Sequence, residues 1–355
     1  MKAVVLVGGE GSRLRPLTLD TPKQMLSVVG MTMLERVLDH LYVHGIDEVV
    51  LSLGYRPDVF LNAYPDGIAR GVKMKYAVES SPLDTAGAIR FAVDEAGFHE
   101  TVVVVNGDVL SDIDITELVE FHRSKSAEAT ISLVPVDNPS AFGVVPCDQD
   151  GRVMAFIEKP PRDQAPTNMI NAGVYVLEPS AIARVTPGEQ VSIERWLFPK
   201  LVEAKSLYAK PSDAYWIDAG TPESLLRASM DILYGKRADS GRSGAVATAN
   251  SSSNAEFGDS LATWCFIAEG SAVAKSAVLR SSVVEKGAVI FADCIISSSV
   301  IMAGAHIGAG SVIEDSIIGK DVIVPQGAMV LGGSVVARFA ELEPGCRIVG
   351  ERVPA

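Results

Sequence analysis

The sequence predicts an α/β domain built on a mixed, mostly parallel sheet, followed by a second domain that is a parallel β-helix of hexapeptide repeats. Three features of its 355 residues carry this expectation. Short apolar runs alternate with amphipathic stretches up to residue 235. The composition then turns to Gly, Ser, Ala and Asn from 236 to 260, and from 261 onward apolar residues recur at six-residue intervals. The expected division is a first domain at 1–235, a linker at 236–260 and a repeat domain at 261–355.

The first domain opens with the apolar run AVVLV at 3–7, then a helix at 31–45 with Leu34, Val37, Leu38 and Leu41 on one face, then the strand EVVLSL at 48–53. That is a βαβ unit. Strand MKYAVE at 74–79, helix AGAIRFAVDEAG at 86–97, strand TVVVVNGD at 101–108 and helix ITELVEFHRSK at 115–125 continue the alternation. Strands without a polar face belong to a sheet covered by helices on both sides. After Lys125 come ATISLVPV at 129–136 and an apolar pair of runs around Gln149-Asp150-Gly151, whose turn chemistry predicts a hairpin and so a mixed sheet. A last helix starts at Thr221-Pro222-Glu223, where threonine caps, proline suits the first position and glutamate meets the positive end of the dipole, and it stops near Gly235.

In the repeat domain Ile267, Val273 and Leu279 recur 17 residues on as Val284, Ile290 and Ile296, then as Ile301, Ile307 and Ile313, then as Ile318, Val324 and Val330. Four places after each stands a small or β-branched residue, from Ser271 and Ala277 to Ala328 and Ser334. A six-residue unit cannot fold alone, so triangular coils must stack around one shared interior column.

Composition narrows the function. Lys and Arg number 31 against 44 Asp and Glu, a net charge of −13, which argues against non-specific binding to nucleic acid or to an anionic membrane. No apolar run approaches the ~20 residues of a membrane helix, the N-terminal stretch lacks a signal-peptide core, and Cys147, Cys265, Cys294 and Cys346 form no CxxC pair, so a reducing cytoplasm is expected. The five histidines are read as lacking an HxxxH or HxH pair, so no histidine-ligated zinc centre is expected, whereas oxygen-ligated metals stay open.

The strongest local signal, Gly8-Gly9-Glu10-Gly11-Ser12-Arg13-Leu14-Arg15-Pro16, follows the first strand directly. Such a loop lies at the carboxyl edge of the sheet, where open α/β folds bind ligands, and glycines let backbone N–H groups approach phosphate oxygens. Arg13, Arg15 and Lys23 follow with a single acid, Asp20, among them, a cationic site in an acidic chain. The loop matches neither GxGxxG nor GxxxxGK[ST], and taken alone it also fits an ordinary connection with solvated arginines.

GGEGSRLRPLT followed by PKQML resembles the G-G-x-G-[ST]-R-L-x-P-L-T…P-K signature of sugar-1-phosphate nucleotidyltransferases. Asn106-Gly107-Asp108-Val109, Phe142-Gly143-Val144, Phe156-Ile157-Glu158-Lys159-Pro160, Asn171-Ala172-Gly173-Val174-Tyr175 and Trp216-Ile217-Asp218-Ala219-Gly220-Thr221-Pro222 then follow in the family's order. With its hexapeptide tail the whole chain is most similar to the mannose-1-phosphate guanylyltransferases. The resemblance implies a Rossmann-like nucleotidyltransferase domain, a left-handed β-helix, and transfer of a nucleoside monophosphate from GTP to mannose 1-phosphate with release of pyrophosphate. It further implies Mg2+. The flat edges and apolar strips of the coils, with Val278, Val289 and Ile295, point to a homo-oligomer formed through the β-helix. The same motifs leave open a uridylyl- or thymidylyltransferase acting on glucose 1-phosphate, and a non-catalytic homologue that binds sugar nucleotide and regulates a partner.

Roles follow from the same resemblance. Gly8, Gly9, Gly11 and Ser12 cradle the nucleotide, Arg13 and Lys23 grip its β- and γ-phosphates, and Asp108 and Asp218 hold the metal. Gly143, Glu158, Lys159 and Asn171 take the sugar phosphate. Glu158 and Lys159 adjoin at a strand terminus, where successive side chains point to opposite faces. Plainer readings stay open: a strand-end turn for Asp108, a carboxylate holding the Thr221 turn for Asp218, and an edge lysine for Lys159. Asp84-Thr85-Ala86-Gly87 corresponds to the base-proximal loop, with Asp84 where glycine is usual. Its carboxylate either accepts from the Watson–Crick edge of guanine or caps the following helix. Ser12 replaces threonine and Gln24 stands where the guanylyl group commonly has proline. His306 raises an acyltransferase reading, against which no extended loop for coenzyme recognition is present, so a solvent-facing coil residue is expected.

Overall fold

In a computed structural model of the chain, residues 1–237 and 262–354 are described. From 238 on, the expected linker lies outside the described residues. Two compact units emerge, and they do not follow chain order: one joins Met1–Glu10 to Leu34–Trp216, the other joins Gly11–Met33 to the described part of Ile217–Ala355.

The first unit is a ten-stranded mixed sheet. Its strands are β1 (Lys2–Leu6), β2 (Glu48–Leu53), β3 (Ile68–Ala69), β4 (Val72–Val78), β5 (Val102–Asn106), β6 (Ala129–Pro135), β7 (Gly143–Val144), β8 (Ile157–Glu158), β9 (Met169–Leu177) and β10 (Leu207–Pro211). The order runs β8-β7-β9-β5-β1-β2-β4-β3, with β6 pairing β9 and β10. Strand β1 is parallel to β2 and to β5, in register Ala3↔Val49 and Ala3↔Val103. Antiparallel β9 then makes the sheet mixed. Because β2 and β5 flank β1 on opposite sides, the carboxyl ends of β1 and β5 form a topological switch point, where open α/β sheets bind ligands.

Helices α1 (Met33–Val43), α2 (Pro57–Ala63), α3 (Asp84–Ala96) and α4 (Ile115–Lys125) accompany the strands. On α1 the predicted face is buried, Leu34, Leu38 and Leu41 completely. The Asp114 side chain caps α4 by accepting from the Glu117 N–H at 2.8 Å, and Gly97, in the left-handed region, ends α3. Val4, Val104, Ile131, Tyr175 and Phe198 belong to one apolar cluster, which is why β1 and β5 carry no polar face. The predicted hairpin is present: Cys147 pairs with Val153 across the turn at Gly151, and β7 pairs with β8.

In the second unit the C-terminal coils stack as three parallel sheets of six, six and four strands, a β-helix. Leu279, Val284, Ile290, Ile296, Ile301, Ile307, Ile313, Ile318, Val324 and Val330 form the buried column expected from the repeat, and Ile267 and Val273 pack against it. Register advances by 17 residues at Val284↔Ile301 and Ile301↔Ile318, then by 18 at Ile318↔Val336. Gly332 and Gly333, both with positive φ, absorb the extra residue. The spacing had set Ser334 beside Val283, Val300 and Ile317; the structure gives that place to Val335 and puts Ser334 in a ladder with Ser282, Ser299 and Ser316. Each of these four buried serines donates to a carbonyl of its own corner at 2.6–2.7 Å. The hydroxyls of Ser282, Ser299 and Ser334 accept from N–H groups of the next coil. Tight corners need such partners because their amides cannot join a ladder. Helix α5 (Pro179–Ile182) and helix α6 (Phe198–Glu203) belong to the first unit, whereas α7 (Pro222–Leu233) belongs to the second and opens on Thr221 with a full capping box through Ser224.

Candidate active site

The loop after β1 begins in the first unit. Gly8 lies against the second strand's exit: a Cβ on it would sit 3.5 Å from the Gly54 N and 3.6 Å from Glu79 Oε1. Glu79, just past β4, accepts from Ser52 Oγ at 2.9 Å and from the Leu83 N–H at 3.0 Å. It braces the sheet edge beside Gly8, and no motif marks it, because a lone acid after a strand has no sequence signature. Next to β1, the Gly107 N–H donates to the Leu6 carbonyl at 3.0 Å. Half-buried Asp108 therefore stands at the switch point, at the exit of the strand adjacent to the one that leads into Gly8 and Gly9.

From Gly11 the loop belongs to the second unit. Gly11 has φ +65°, and a Cβ there would meet Lys23 Cβ at 3.1 Å and Thr18 Cγ2 at 3.2 Å. Its carbonyl accepts from Thr18 Oγ1 at 2.8 Å and from the Leu14 N–H at 2.9 Å. A single 3-10 turn over Ser12–Leu14 buries Leu14 and leaves Ser12, Arg13 and Arg15 exposed. Gly11 thus folds Lys23 back beside the loop, so the two expected phosphate-gripping residues lie in one structural piece. Arg13 Nη2 lies 3.6 Å from Asp218 Oδ2, while Asp218 Oδ1 accepts from the Gly220 N–H at 2.8 Å. A Cβ on Gly220 would fall 2.7 Å from Arg13 Nη2 and 2.7 Å from Asp218 Oδ1. Asp218 therefore holds the turn before α7 as well as facing the arginine. Gln24 is buried.

The sugar-side residues lie on β7, β8 and β9. Gly143 opposes Glu158 across the β7–β8 pair, and a Cβ on it would strike the Phe156 ring and come within 3.1 Å of Glu158 Oε2. Contrary to strict alternation, Glu158 and Lys159 meet, Nζ to Oε1 at 3.3 Å. Lys159 has φ +48°, which ends the strand and turns its side chain back. Asn171 donates from Nδ2 to Tyr175 Oη at 2.9 Å and accepts from the Gly173 N–H at 2.9 Å. Burial pushes the Tyr175 phenol far above its ordinary range, with Glu194 adding to the shift, so it stays protonated. Trp216 donates from Nε1 to the Ala172 carbonyl at 2.9 Å and meets Phe142 edge-on.

The segment expected near the base is largely engaged. Ala86 and Gly87 both donate N–H bonds to the Val191 carbonyl, at 2.8 and 3.1 Å. Thr85 Oγ1 accepts from the Ile193 N–H at 2.7 Å and donates to Glu194 Oε2 at 2.9 Å. Asp84 is the first residue of α3, at φ +57°, and not the cap before it; its carboxylate takes the Thr85 N–H at 2.7 Å and is exposed. Glu194 also accepts from Ser192 Oγ, but its partner Thr85 lies 109 residues away, which no local sequence spacing reveals.

His40 on α1 and His44, one residue past its end, stand one helical turn apart, an HxxxH spacing that the expectation of no such histidine pair overlooks. His40 Nε2 donates to the Ile113 carbonyl at 2.9 Å, and His44 Nδ1 meets Thr116 Oγ1 at 2.9 Å. Both rings secure the start of α4. His306 is exposed on a coil, as expected.

Residues 2–235 match the nucleotidyl transferase family, and residues 261–354 match the GMPPB C-terminal domain. The chain belongs to the nucleotidyl transferase family. This nucleotidyl transferase is 44% identical over 235 residues to the mannose-1-phosphate guanylyltransferase of Mycobacterium tuberculosis and 40% identical over 243 residues to mannose-1-phosphate guanylyltransferase 1 of Arabidopsis thaliana. Each match takes in 66% of this chain, and the chain spans just under two thirds of those relatives' lengths, 65% and 66%. Among solved structures it is similar to HddC from Yersinia pseudotuberculosis, with 29% identity and a TM-score of 0.56 over 65% of this chain and 99% of that one. Nucleotidyl transferases of this kind typically need a divalent metal. Asp108 and Asp218, the two expected ligands, each offer carboxylate oxygens, the donor type that a hard cation takes. Among the described residues no group of three or more His, Cys, Asp or Glu side chains could hold a metal ion by itself. Among those residues, too, no helix is long and apolar enough to cross a membrane.

Proposed function

We propose that this nucleotidyl transferase moves GMP from GTP to mannose 1-phosphate, giving GDP-mannose and pyrophosphate. The observation that carries the reading is the Gly11 turn that folds Lys23 against the loop bearing Arg13, supported by the names of its relatives. A sugar phosphate is an ionised nucleophile at neutral pH, so no general base is needed. The obstacles are like charge and orientation. Arg13 and Lys23 bind the β- and γ-phosphates, Arg by its planar fork and Lys as a point charge, while Gly8, Gly9, Gly11 and Ser12 line the loop. Lys159 receives the sugar phosphate; Glu158 and Asn171 orient the sugar hydroxyls, with Tyr175 fixing the Asn171 amide. Gly143 leaves room for the ring. The phosphate oxygen then attacks the α-phosphorus in line with the departing pyrophosphate.

Asp108 and Asp218 would hold Mg2+, which would supply charge neutralisation on the triphosphate when bound. Asp84 is the exposed carboxylate of its segment and the residue available to a guanine edge, while Thr85, Ala86 and Gly87 shape the turn that presents it. Four free thiols suit a reducing cytoplasm. Outward apolar residues of the coils, Val278, Val289, Ile295 and Ile323, support a homo-oligomer built through the β-helix.

Pyrophosphate release, measured with GTP, ATP, UTP and dTTP against mannose 1-phosphate and glucose 1-phosphate, tests the reading. GTP with mannose 1-phosphate is expected to be the best pair. A preference for UTP or dTTP with glucose 1-phosphate replaces the substrate assignment, and no turnover with any pair overturns the enzyme.

A further inference from the structure

The loop that carries Arg13 is tied to the far end of the β-helix. Arg352, in the last outer strand of the coils (Arg352–Val353), donates from Nη1 to the Arg13 carbonyl at 2.9 Å and lies 3.5 Å from the Arg15 carbonyl. Its other terminal nitrogen, Nη2, lies 3.3 Å from Glu223 Oε1 in the first turn of α7. One planar guanidinium therefore spans three acceptors on two segments, which a flexible ammonium cannot do with the same geometry. A neighbouring arginine, Arg338, meets Asp20 at 3.3 Å farther along the segment.

We propose that Arg352 is a positioning residue for the phosphate loop, setting the backbone posture from which the Arg13 guanidinium reaches the triphosphate. Arg13 is exposed, and on the α7 side its guanidinium meets Asp218 and lies against Gly220. With Leu14 buried beneath, the carbonyls of Arg13 and Arg15 are the polar groups of the turn on which a rigid tether can act, and Arg352 takes both. The tether restrains backbone torsions while it leaves the side chains free to meet a ligand. The kinetic part of this inference rests on the function proposed above; the structural part does not.

The test compares Arg352→Ala, Arg352→Lys and Arg347→Ala, the last removing an exposed charge from the neighbouring strand of the same coil. Two readouts are needed: steady-state kinetics, and amide hydrogen exchange over residues 9–16 in the full chain without substrate. In Arg352→Ala, KM for the nucleoside triphosphate is expected to rise about tenfold, the effect of one lost charged hydrogen bond, with KM for the sugar phosphate within about twofold of its starting value. Exchange at 9–16 rises in parallel, Arg352→Lys recovers part of both, and Arg347→Ala changes neither. Unchanged exchange and triphosphate KM in Arg352→Ala overturn the proposal, as does an equal rise in both KM values accompanied by a lowered melting temperature. If the unaltered protein turns over no nucleotide, the proposed function falls, and loop exchange alone then decides the tether.

Discussion

Gly173 stands directly against Asn106. A Cβ at position 173, where φ is +73°, would lie 2.6 Å from Asn106 Nδ2 and 3.0 Å from its Cγ. Glycine in the β9 motif is thus required by asparagine in the β5 motif. The sheet register shifts between Asn171 and Tyr175 to make that contact. Gly173→Ala is expected to destabilise the fold by about 1–3 kcal/mol, the range for overpacking. Urea unfolding measures the loss, and an unaltered midpoint would show that Asn106 has room to move.

Asp108 follows Asn106 by two residues at the switch point of the sheet. Asp108→Asn is expected to keep the unfolding midpoint while turnover falls by more than about a hundredfold, because an amide no longer neutralises metal charge. Near-normal turnover would remove Asp108 from the metal site. Asp218→Asn differs in also loosening Arg13, so it raises KM for triphosphate as well as lowering kcat.

The Asn171–Tyr175 bond predicts a sugar-side effect. Tyr175→Phe removes the acceptor of Asn171 Nδ2 at a cost of about 1 kcal/mol in stability. KM for the sugar phosphate should rise while that for the triphosphate holds. A change confined to the triphosphate would place Asn171 elsewhere.

Burial holds the His44 imidazole below its ordinary range, against the opposing pull of Asp114. The unfolded chain therefore takes up this proton first. The contribution of His44 to stability is complete above an unfolded-state pKa of about 6.5 and is lost as pH falls from there through the folded-state value. Melting temperature followed from pH 7.5 to 5 should drop less steeply in His44→Gln than in the unaltered protein; parallel curves would contradict the assignment.

Burial, aided by Asp148, pushes the Cys147 thiol up to about 11. At pH 8 its thiolate fraction is on the order of a thousandth. Iodoacetamide should label Cys147 only after denaturation, and rapid labelling of the native protein at that pH would show the burial to be transient.

Much of the fold could be read from periodicity because burial imposes it. The residues of β2 and α4 coincide with their apolar patterns, and the interior column of the β-helix follows the hexad to the residue until Gly332 and Gly333 insert one position. Ser334 was misplaced for that reason, since a corner insertion leaves no mark in an apolar count. Of the candidate site, the short motifs were visible. Their mutual support was not: Glu79 beneath Gly8, Glu194 under Thr85 and Arg352 behind Arg13 act through backbone atoms or distant partners, and such bonds require no residue spacing. The pairing of Glu158 with Lys159 was missed because a single positive φ overturned strand alternation.

The Arg352–Arg13 bond joins positions 339 residues apart. During synthesis the catalytic sheet can condense well before that partner leaves the ribosome, because nascent domains fold from the N-terminus onward. A nonsense codon in the final coil would then yield a polypeptide with an assembled framework and an untethered substrate loop. The substrate loop would then reach its tethered posture only after the sheet had formed.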